Sequence, residues 1–140
     1  MPTKDNKAKD QRIIEEVFNK GDMSVIPDLV APSCVVHMAG AEYKGQEGFR
    51  EFATLWRTAF PDLRLTTEDR IAEGNRVVNR WTARGTHKGN LMGIPATGKK
   101  TTNTGIMFSR WARGKAVEAW GEANMLGLMQ QLGVVPPPGR

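Results

Sequence analysis

Three residues near the C-terminal end alternate in a way that could place chemistry on one surface. Trp120, Glu122 and Asn124 are separated by Gly and Ala residues, and this period of two is typical of one β-strand with two different faces. The face that they share carries an indole, a carboxylate and an amide. We expect a ligand held by this face to meet the three side chains in a row, with other segments forming walls around it.

Glu122 and Asn124 differ in the chemistry that they could supply. A carboxylate enclosed in a pocket has a raised pKa and can act as a general base, whereas a carboxylate on an open sheet is simply solvated. An amide does not exchange protons near neutral pH, but Asn124 could donate a hydrogen bond to an enolate or carbonyl oxygen. Asn124 also directly precedes a helical pattern, so the alternative is that it caps that helix.

His87 and Arg80 are two further polar candidates, and both belong to the strand pattern over residues 76–88. His87 could guard a pocket mouth beside the loop 89–98, or it could be a hydrogen-bonded turn residue. Arg80 could recognise a carboxylate or an enolate if it points inward, whereas it is merely solvated if it points outward. Arg80 and Trp81 face opposite ways, and the alternation alone does not say which of them faces inward.

The elements that must position these residues follow from the hydrophobic periodicity. It predicts helices over 4–19, 23–30 and 46–60 and from 125 onward, and strands over 33–38, 63–71, 76–88, 99–112 and 115–124. Pro61 and Gly133 end two of the helices, Gly74 and Gly114 mark hairpin turns, and Gly40 and Gly45 flank a turn region. The helix 46–60 has an apolar face that includes Trp56 and Phe60, which we expect to form one wall of a pocket. Three helices followed by four long strands predict an α+β fold, in which a curved antiparallel sheet wraps around N-terminal helices.

Composition limits the classes of function. The 140 residues predict a single domain, and the N-terminal segment lacks the apolar core of a secretory signal, which favours a cytoplasmic location. No apolar run approaches the roughly 20 residues of a membrane span. The net charge is +5, but no basic run is interleaved with aromatic residues, so we expect no nucleic-acid surface. One cysteine and two histidines also predict no metal site.

Four segments of the chain resemble, in the same order, the SnoaL-like polyketide cyclase family. They are Ala-Phe-Pro-Asp-Leu at 59–63, Gly-Thr-His-Lys-Gly at 85–89, Gly-Ile-Pro-Ala-Thr-Gly-Lys at 93–99 and Leu-Gly-Leu-Met-Gln-Gln-Leu-Gly at 126–133. This family shares its fold with ketosteroid isomerase, scytalone dehydratase and nuclear transport factor two. The resemblance covers about residues 17–136 and implies one domain with flexible ends. It further implies a cone-shaped α+β barrel with an internal apolar pocket and a homodimer formed through the sheet.

The resemblance also implies where the reactive residues lie. In the cyclases of the family an aspartate at the end of the last strand serves as acid and base in an intramolecular aldol closure, and the matching residue here is Asn124. His37 matches a histidine that is common in the family, so we expect it at the pocket. The predicted catalytic set is therefore Asn124, Glu122 and His37, and the predicted ligand-binding set is Trp120, Trp56, Arg80, His87 and Phe60.

Three functions remain open from the sequence. The chain could be a cofactor-independent aldol cyclase or isomerase that acts on a small apolar carbonyl compound, a non-catalytic module that binds such a compound, or a dimeric protein-interaction module. We expect no cofactor, because no glycine-rich loop has the strand-to-helix setting that cradles phosphates. In the loop 89–98, Leu91, Met92 and Ile94 are apolar, and we expect them to cover the pocket mouth or a dimer seam.

Overall fold

The computed structural model describes residues 2–136. Met1 and the tail 137–140 lie outside the described residues, and the flexibility that the resemblance implies for the two ends stays a prediction. Within the described part of the chain, no helix is both long and apolar enough to cross a membrane.

Four α-helices form at the predicted places. They are α1 (Pro2–Arg12), α2 (Ile26–Leu29), α3 (Gly45–Ala59) and α4 (Met125–Leu132). The helix α1 continues directly into a π-helix at Ile13–Asn19, and a short 3-10 turn at Met23–Val25 precedes α2. The helix α3 ends just before Pro61, whose ring disfavours helical backbone in the residue before it. The helix α4 ends at Gly133, which adopts the left-handed conformation, φ 82°, that glycine tolerates.

Six strands form one sheet. They are β1 (Val30–Met38), β2 (Ala41–Lys44), β3 (Arg64–Glu73), β4 (Arg76–Thr86), β5 (Lys100–Ala112) and β6 (Lys115–Ala123), in the spatial order β2-β1-β6-β5-β4-β3. The hairpins β3–β4 and β5–β6 turn through Gly74 and Gly114, as the sequence predicts. The α+β class, with a curved sheet and N-terminal helices, is confirmed, and the sheet is not closed into a complete barrel.

Two features of the sheet differ from the prediction. The segment 41–44 forms the edge strand β2, although its glycine-flanked sequence predicts a turn region. The strand β1 runs parallel to β6, whereas every other neighbouring pair is antiparallel. Local periodicity identifies a strand but carries no information about the direction of a partner that lies 80 residues away in the chain.

The two faces of the sheet differ in burial. On β6, Ala119 and Gly121 are buried, whereas Trp120 and Glu122 beside them are exposed. On β4, Val77, Asn79 and Trp81 are buried with the same alternation. We call the buried side, which packs against the helices, the inner face, and the opposite side the outer face.

The apolar core lies between the inner face, the π-helix and α3. Three phenylalanine rings meet there at centroid distances of 5.9 to 6.3 Å and steep interplanar angles, which is a favourable edge-to-face arrangement. They are Phe18 from the π-helix and Phe49 and Phe52 from α3. This cluster holds the helices against the sheet.

The helix α1 is attached to the sheet mainly by polar contacts. The side chain of Arg70 on β3 donates to the carboxylate of Asp10 at 2.8 Å, and both side chains are largely buried. The amide nitrogen of Asn79 donates to the same carboxylate at 3.2 Å and to the hydroxyl of Thr67 at 3.1 Å. This network compensates for the burial of a charged pair, which would otherwise be unfavourable.

Candidate functional site

A cavity lies between the inner face and the helices that cover it. Its volume is about 60 Å³, or about 570 Å³ when the open space at its mouth is counted as well. One water molecule needs roughly 10–15 Å³ on the scale of the smaller value, so the cavity has room for several waters or for a small organic group. Most of its wall is apolar and includes Phe18, Phe52, Trp56, Phe60, Trp81 and Leu128.

Small residues on the inner face give the aromatic side chains room to shape this cavity. A Cβ atom at Gly85 would lie 2.9 Å from the Cβ of Phe60. A Cβ atom at Gly105 would collide with the Trp81 indole and lie 2.6 Å from the carbonyl oxygen of Glu122. Such distances are too short for real contacts, so the positions of Phe60 and Trp81 depend on the absence of a side chain at these two glycines.

The π-helix places Phe18 on the cavity wall, and its end is fixed by side chains from two other elements. Arg57 on α3 donates to the carbonyl oxygens of Phe18, at 2.6 Å, and of Asn19, at 3.3 Å. The side chain of Asn19 forms two hydrogen bonds with the backbone of Leu65, at 2.7 and 3.0 Å. The Arg57 bonds satisfy carbonyl groups that the end of a helix leaves without partners, and the Asn19 bonds tie this helix end to β3. Phe18 is therefore held rigidly against the cavity.

The helix α3 supplies two aromatic side chains one turn apart. Trp56 and Phe60 stack with ring centroids 6.5 Å apart and an interplanar angle of 14°, and both line the cavity. The structure places these two residues on the wall, as the apolar face of the helix indicates. Their binding of a ligand stays a prediction.

The buried polar part of the wall lies on β5 and is formed by Thr101 and Asn103, and the exposed Arg84 on β4 also contributes to the wall. The hydroxyl of Thr101 donates to the carbonyl oxygen of Gly85 at 3.4 Å. Asn103 is buried, and its Oδ1 atom has no hydrogen-bond partner among the described residues. Asn103 was not recognised from the sequence. The available signal was its position in the alternation of Thr101, Asn103, Gly105 and Met107, which marks one strand face.

His87 is fully buried just beyond the end of β4. Its Nδ1 atom accepts a hydrogen bond from the backbone N–H of Thr97 at 3.2 Å and lies 3.0 Å from the hydroxyl of the same residue. Its ring centroid lies 5.6 Å from that of Phe60. The Nε2 atom has no partner among the described residues. His87 thus packs behind the cavity wall and anchors the loop that follows, and it does not itself line the cavity.

The sequence comparison identifies the family. The model of the SnoaL-like polyketide cyclases matches residues 8–132. The chain belongs to the SnoaL-like polyketide cyclase family. No protein of curated function matches its sequence.

Solved structures agree with this family assignment. A proposed SnoaL-like polyketide cyclase from Jannaschia sp. CCS1 has a TM-score of 0.86 over 96% of this chain and 95% of that chain, and its 22% identity shows the fold. AclR, a proposed hydroxylase from Streptomyces galilaeus, has 29% identity and a TM-score of 0.85, with 99% and 87% of the two chains covered. IdmH, a proposed polyketide cyclase from Streptomyces antibioticus, has 31% identity and a TM-score of 0.78, with 92% and 99% covered.

His37 of this SnoaL-like chain lies on the outer face, which corrects its expected place at the pocket. Its Nε2 atom is 2.8 Å from a carboxylate oxygen of Glu118, and its Nδ1 atom is 3.2 Å from one of Glu42. Its ring stacks on the Trp120 indole at a centroid distance of 5.6 Å and an angle of 13°. The reason is strand parity, because Cys34, Val36 and Met38 take the buried side of β1 and direct His37 away from the cavity.

Glu118 is the carboxylate at the centre of this outer cluster. The hydrogen bond with His37, followed by the one with Arg110, holds its pKa below the usual range, because both partners favour the charged carboxylate. Arg110 donates to Glu118 at 3.2 Å. The charges of this cluster pair with one another, and none of its members lines the inner-face cavity or the surface pocket beside α3.

Trp120, Glu122 and Arg80 also lie on the outer face, so the predicted row of site residues does not enclose the cavity. Trp120 is 39% exposed, and Glu122 is exposed beside it. Arg80 pairs with Asp69 at 2.6 Å, and both side chains are more than half exposed. On β6 the buried positions belong to small residues such as Ala119 and Gly121, and the larger polar residues alternate with them toward solvent.

Asn124 caps the helix α4. Its Oδ1 atom accepts a hydrogen bond from the backbone N–H of Gly127 at 2.9 Å, and its own N–H donates to the carbonyl oxygen of Thr104 at 3.0 Å. The residue is exposed and is not part of the cavity wall. Asn124 therefore caps the helix α4, which is one of the two roles expected from its place in the sequence.

The loop 89–98 packs against α3. The backbone N–H groups of Lys88 and Gly89 both donate to the carbonyl oxygen of Ala59. Leu91 is fully buried and Ile94 is half-buried, whereas Met92 is 49% exposed beside the solvent-facing side of α3. The three apolar residues thus have different environments, and Met92 does not reach the cavity wall.

The described residues contain no group of three or more His, Cys, Asp and Glu side chains that could hold a metal ion. Cys34 is buried on the inner face of β1, and burial raises the pKa of its thiol to about 11. A thiol with such a pKa remains protonated near neutral pH and is a poor nucleophile.

Proposed function

We propose that this SnoaL-like protein binds a small, mostly apolar carbonyl compound of the polyketide type in the cavity. The observation that carries the proposal is the composition of the wall, in which aromatic and aliphatic side chains surround three polar ones, the buried Thr101 and Asn103 on β5 and the exposed Arg84 on β4. Small-molecule sites commonly have this composition, because apolar area supplies affinity and a few polar groups fix orientation. Family membership and the similarity to IdmH, a proposed polyketide cyclase, support a carbonyl compound as the ligand.

Binding without turnover is the form of this function that the wall favours. An aldol closure or an isomerisation moves a proton on or off carbon, so it needs a group that exchanges protons near neutral pH. The described residues of the wall include no Asp, Glu, His, Cys, Tyr or Lys. The three side chains predicted to be catalytic, His37, Glu122 and Asn124, lie away from the cavity.

A cofactor-independent aldol cyclase or isomerase is the second candidate, and His87 is the observation that favours it. This buried histidine packs beside Phe60, which lines the cavity, and its Nε2 atom has no partner among the described residues. Because Nδ1 accepts the N–H of Thr97, the neutral ring carries its proton on Nε2. His87 could therefore donate a hydrogen bond to an enolate oxygen once the Phe60 ring moves aside.

Titration calorimetry with 1-tetralone, a bicyclic apolar ketone, tests the binding proposal. We expect the wild-type protein to bind the ketone and Ala83→Phe to bind it at least about tenfold more weakly, because the added ring fills the cavity. Val78→Phe on the outer face of the same strand is the matched control and should bind as the wild type does. Equal affinity in all three proteins, or no heat of binding in the wild type, would overturn the proposal.

Exchange of the α-protons of 1-tetralone in D₂O, followed by proton NMR, separates binding from turnover. A binding module leaves the exchange rate at that of buffer, which is the result that we expect. Acceleration by the wild-type protein that is lost in His87→Gln would instead support the enzyme candidate. General acid–base groups typically contribute about 10²- to 10⁴-fold, so the two results are easily distinguished.

We also propose that the protein is a homodimer formed through the outer face. Paired residues on five strands form one continuous row across that face: His37, Trp120, Phe108, Val78 and Ile71. Ile71 is 68% exposed, and Ile106, which lies two residues from Phe108 on the same face of β5, is 47% exposed. An apolar row of this kind is typical of an interaction surface, and a second copy related by a two-fold axis would present the same row to it.

Sedimentation velocity at micromolar concentration tests the dimer. We expect a species of twice the 15.5 kDa mass of the chain. Trp120→Glu should give monomers, because it places a charge within the apolar row, whereas Lys4→Glu on the exposed side of α1 should remain dimeric. A wild-type protein that sediments only as a monomer would contradict the proposal.

A further inference from the structure

Among the described residues, the cavity wall carries one buried polar side chain with an atom that has no hydrogen-bond partner. Asn103 is only 7% exposed and lies opposite Ala83 on the neighbouring strand. Its Oδ1 atom is buried and has no hydrogen-bond partner among the described residues. Buried polar groups in folded proteins nearly always have a partner, because an unpaired acceptor loses its hydrogen bonds to water without replacement. An unpaired acceptor on a cavity wall therefore indicates a partner that enters the cavity.

In the part of the chain that the structure describes, two other buried side chains have an unpaired polar atom, and both differ from Asn103 in their surroundings. Asn79 lies beneath α1, where its amide nitrogen already donates to Asp10 and Thr67. His87 lies behind Phe60, with its Nδ1 atom engaged by Thr97. Neither Asn79 nor His87 lines the cavity, whereas Asn103 does. Asn103 is thus the unpaired group that a ligand in the cavity would meet.

We propose that Asn103 is the polar anchor of the cavity and selects ligands that carry a hydroxyl or enol O–H group. This inference rests on the proposed binding function. The Oδ1 atom accepts one O–H donor, and a β-dicarbonyl compound of the polyketide type offers such a donor in its enol form. A phenol offers the same donor permanently. The Trp81 indole and Leu128 line the same cavity and would pack against the apolar body of such a ligand.

The selection follows from the penalty for an unpaired polar group. A ligand of the same shape that has a methyl group in place of the hydroxyl leaves Oδ1 unpaired and gains no hydrogen bond. Sites built to bind a substrate hydroxyl discriminate strongly against analogues that lack it, for this reason. A ligand that loses its hydroxyl gives up one hydrogen bond, and the expected discrimination is at least about tenfold.

The test compares 4-fluorophenol with 4-fluorotoluene, which have nearly the same shape and differ in the O–H group. Dissociation constants for both are measured by ¹⁹F NMR titration of the wild-type protein and of Asn103→Leu. The quantity of interest is the ratio of the two constants, because it cancels the effect of any general change in the cavity. We expect Asn103→Leu to shift this ratio by at least about tenfold against the phenol. Thr104→Val, on the outer face of the same strand, is the matched control and should leave the ratio unchanged.

The possible outcomes separate this inference from the binding function. If both probes bind and Asn103→Leu keeps the wild-type ratio, the selection by Asn103 is overturned and binding in the cavity stands. If neither probe binds to the wild-type protein, both are overturned. Asn103→Leu removes an unpaired acceptor and should fold. If Asn103→Leu does not fold, the measurement is repeated with Asn103→Ala, which adds no bulk. The inference then holds only if Asn103→Ala shows the same shift in the ratio.

Discussion

The inner and outer faces of one sheet carry opposite kinds of polar chemistry. On the outer face the polar side chains bind one another, as His37 does with Glu118 and Arg80 with Asp69. On the inner face the cavity wall is mostly apolar, yet Asn103 lies there with a buried acceptor that has no hydrogen-bond partner among residues 2–136. A dense set of reactive residue types, as on the outer face, therefore does not by itself indicate a ligand site. Unused hydrogen-bonding capacity beside a cavity is the better indication.

The largest expected difference between the faces concerns their ion pairs. Arg70→Ala leaves the carboxylate of Asp10 buried without its charged partner and should lower the free energy of unfolding by about 3–5 kcal/mol. Arg80→Ala removes an exposed pair with Asp69 and should lower it by about 1 kcal/mol or less. Urea denaturation of the two variants measures both values. Equal losses would show that the inner network under α1 is as solvated as the outer pair.

Packing should also distinguish neighbouring residues of β5. Gly105→Ala places a methyl group against the Trp81 indole and the backbone of Glu122, and we expect a loss of about 2 kcal/mol, within the usual range for overpacking. Ile106→Ala, one residue further on the outer face, should cost less, because the isoleucine is 47% exposed in the monomer. Denaturation of the monomeric Trp120→Glu protein carrying each change gives the comparison without a contribution from dimer formation. A smaller loss for the glycine variant would mean that the Trp81 ring is free to move.

Asn124 lies at the boundary between the sheet and α4, where only its capping function is visible. Asn124→Ala should lower the free energy of unfolding by about 1 kcal/mol, whereas Asn124→Asp should change it by only a few tenths, because the two residues cap almost equally well. Thermal unfolding measures both. Because Asn124 is exposed outside the cavity wall, we expect the Asp variant to gain no activity toward 1-tetralone in the exchange experiment. A clear gain would contradict this placement.

The smallest effect is a pH dependence on the outer face. The pKa of Glu118 is lowered in the folded protein, so the folded state holds this proton less tightly than the unfolded state does. Its contribution to stability is then present above the ordinary pKa of 4.5 and is lost as the pH falls through the lower folded value. Urea midpoints of the wild type and Glu118→Gln should therefore differ above pH 5 and converge in more acidic solution. A difference that is independent of pH would exclude the carboxylate charge as its cause.

The local elements could be predicted well, because they depend on short-range patterns. The apolar face of α3 placed Trp56 and Phe60 together, Pro61 and Gly133 marked helix ends, and the turns at Gly74 and Gly114 defined two hairpins. The family could also be inferred, from four segments that lie at the end of α3, at the end of β4, in the loop 89–98 and in α4. The edge strand β2 was missed because four residues between glycines carry too weak a pattern to distinguish a strand from a turn.

The α+β class, the family and the two alternating sets of residues on each strand follow from the sequence. Which of the two sets faces inward depends on the packing of the folded chain. A period of two defines two faces but is symmetric between them, and the choice depends on which face the helices cover. On β6 the helices cover the face of Ala119 and Gly121, so Trp120 and Glu122 lie outside. The same packing buries Asn103 against an apolar cavity, and its missing partner can be recognised only when all of its neighbours in space are known.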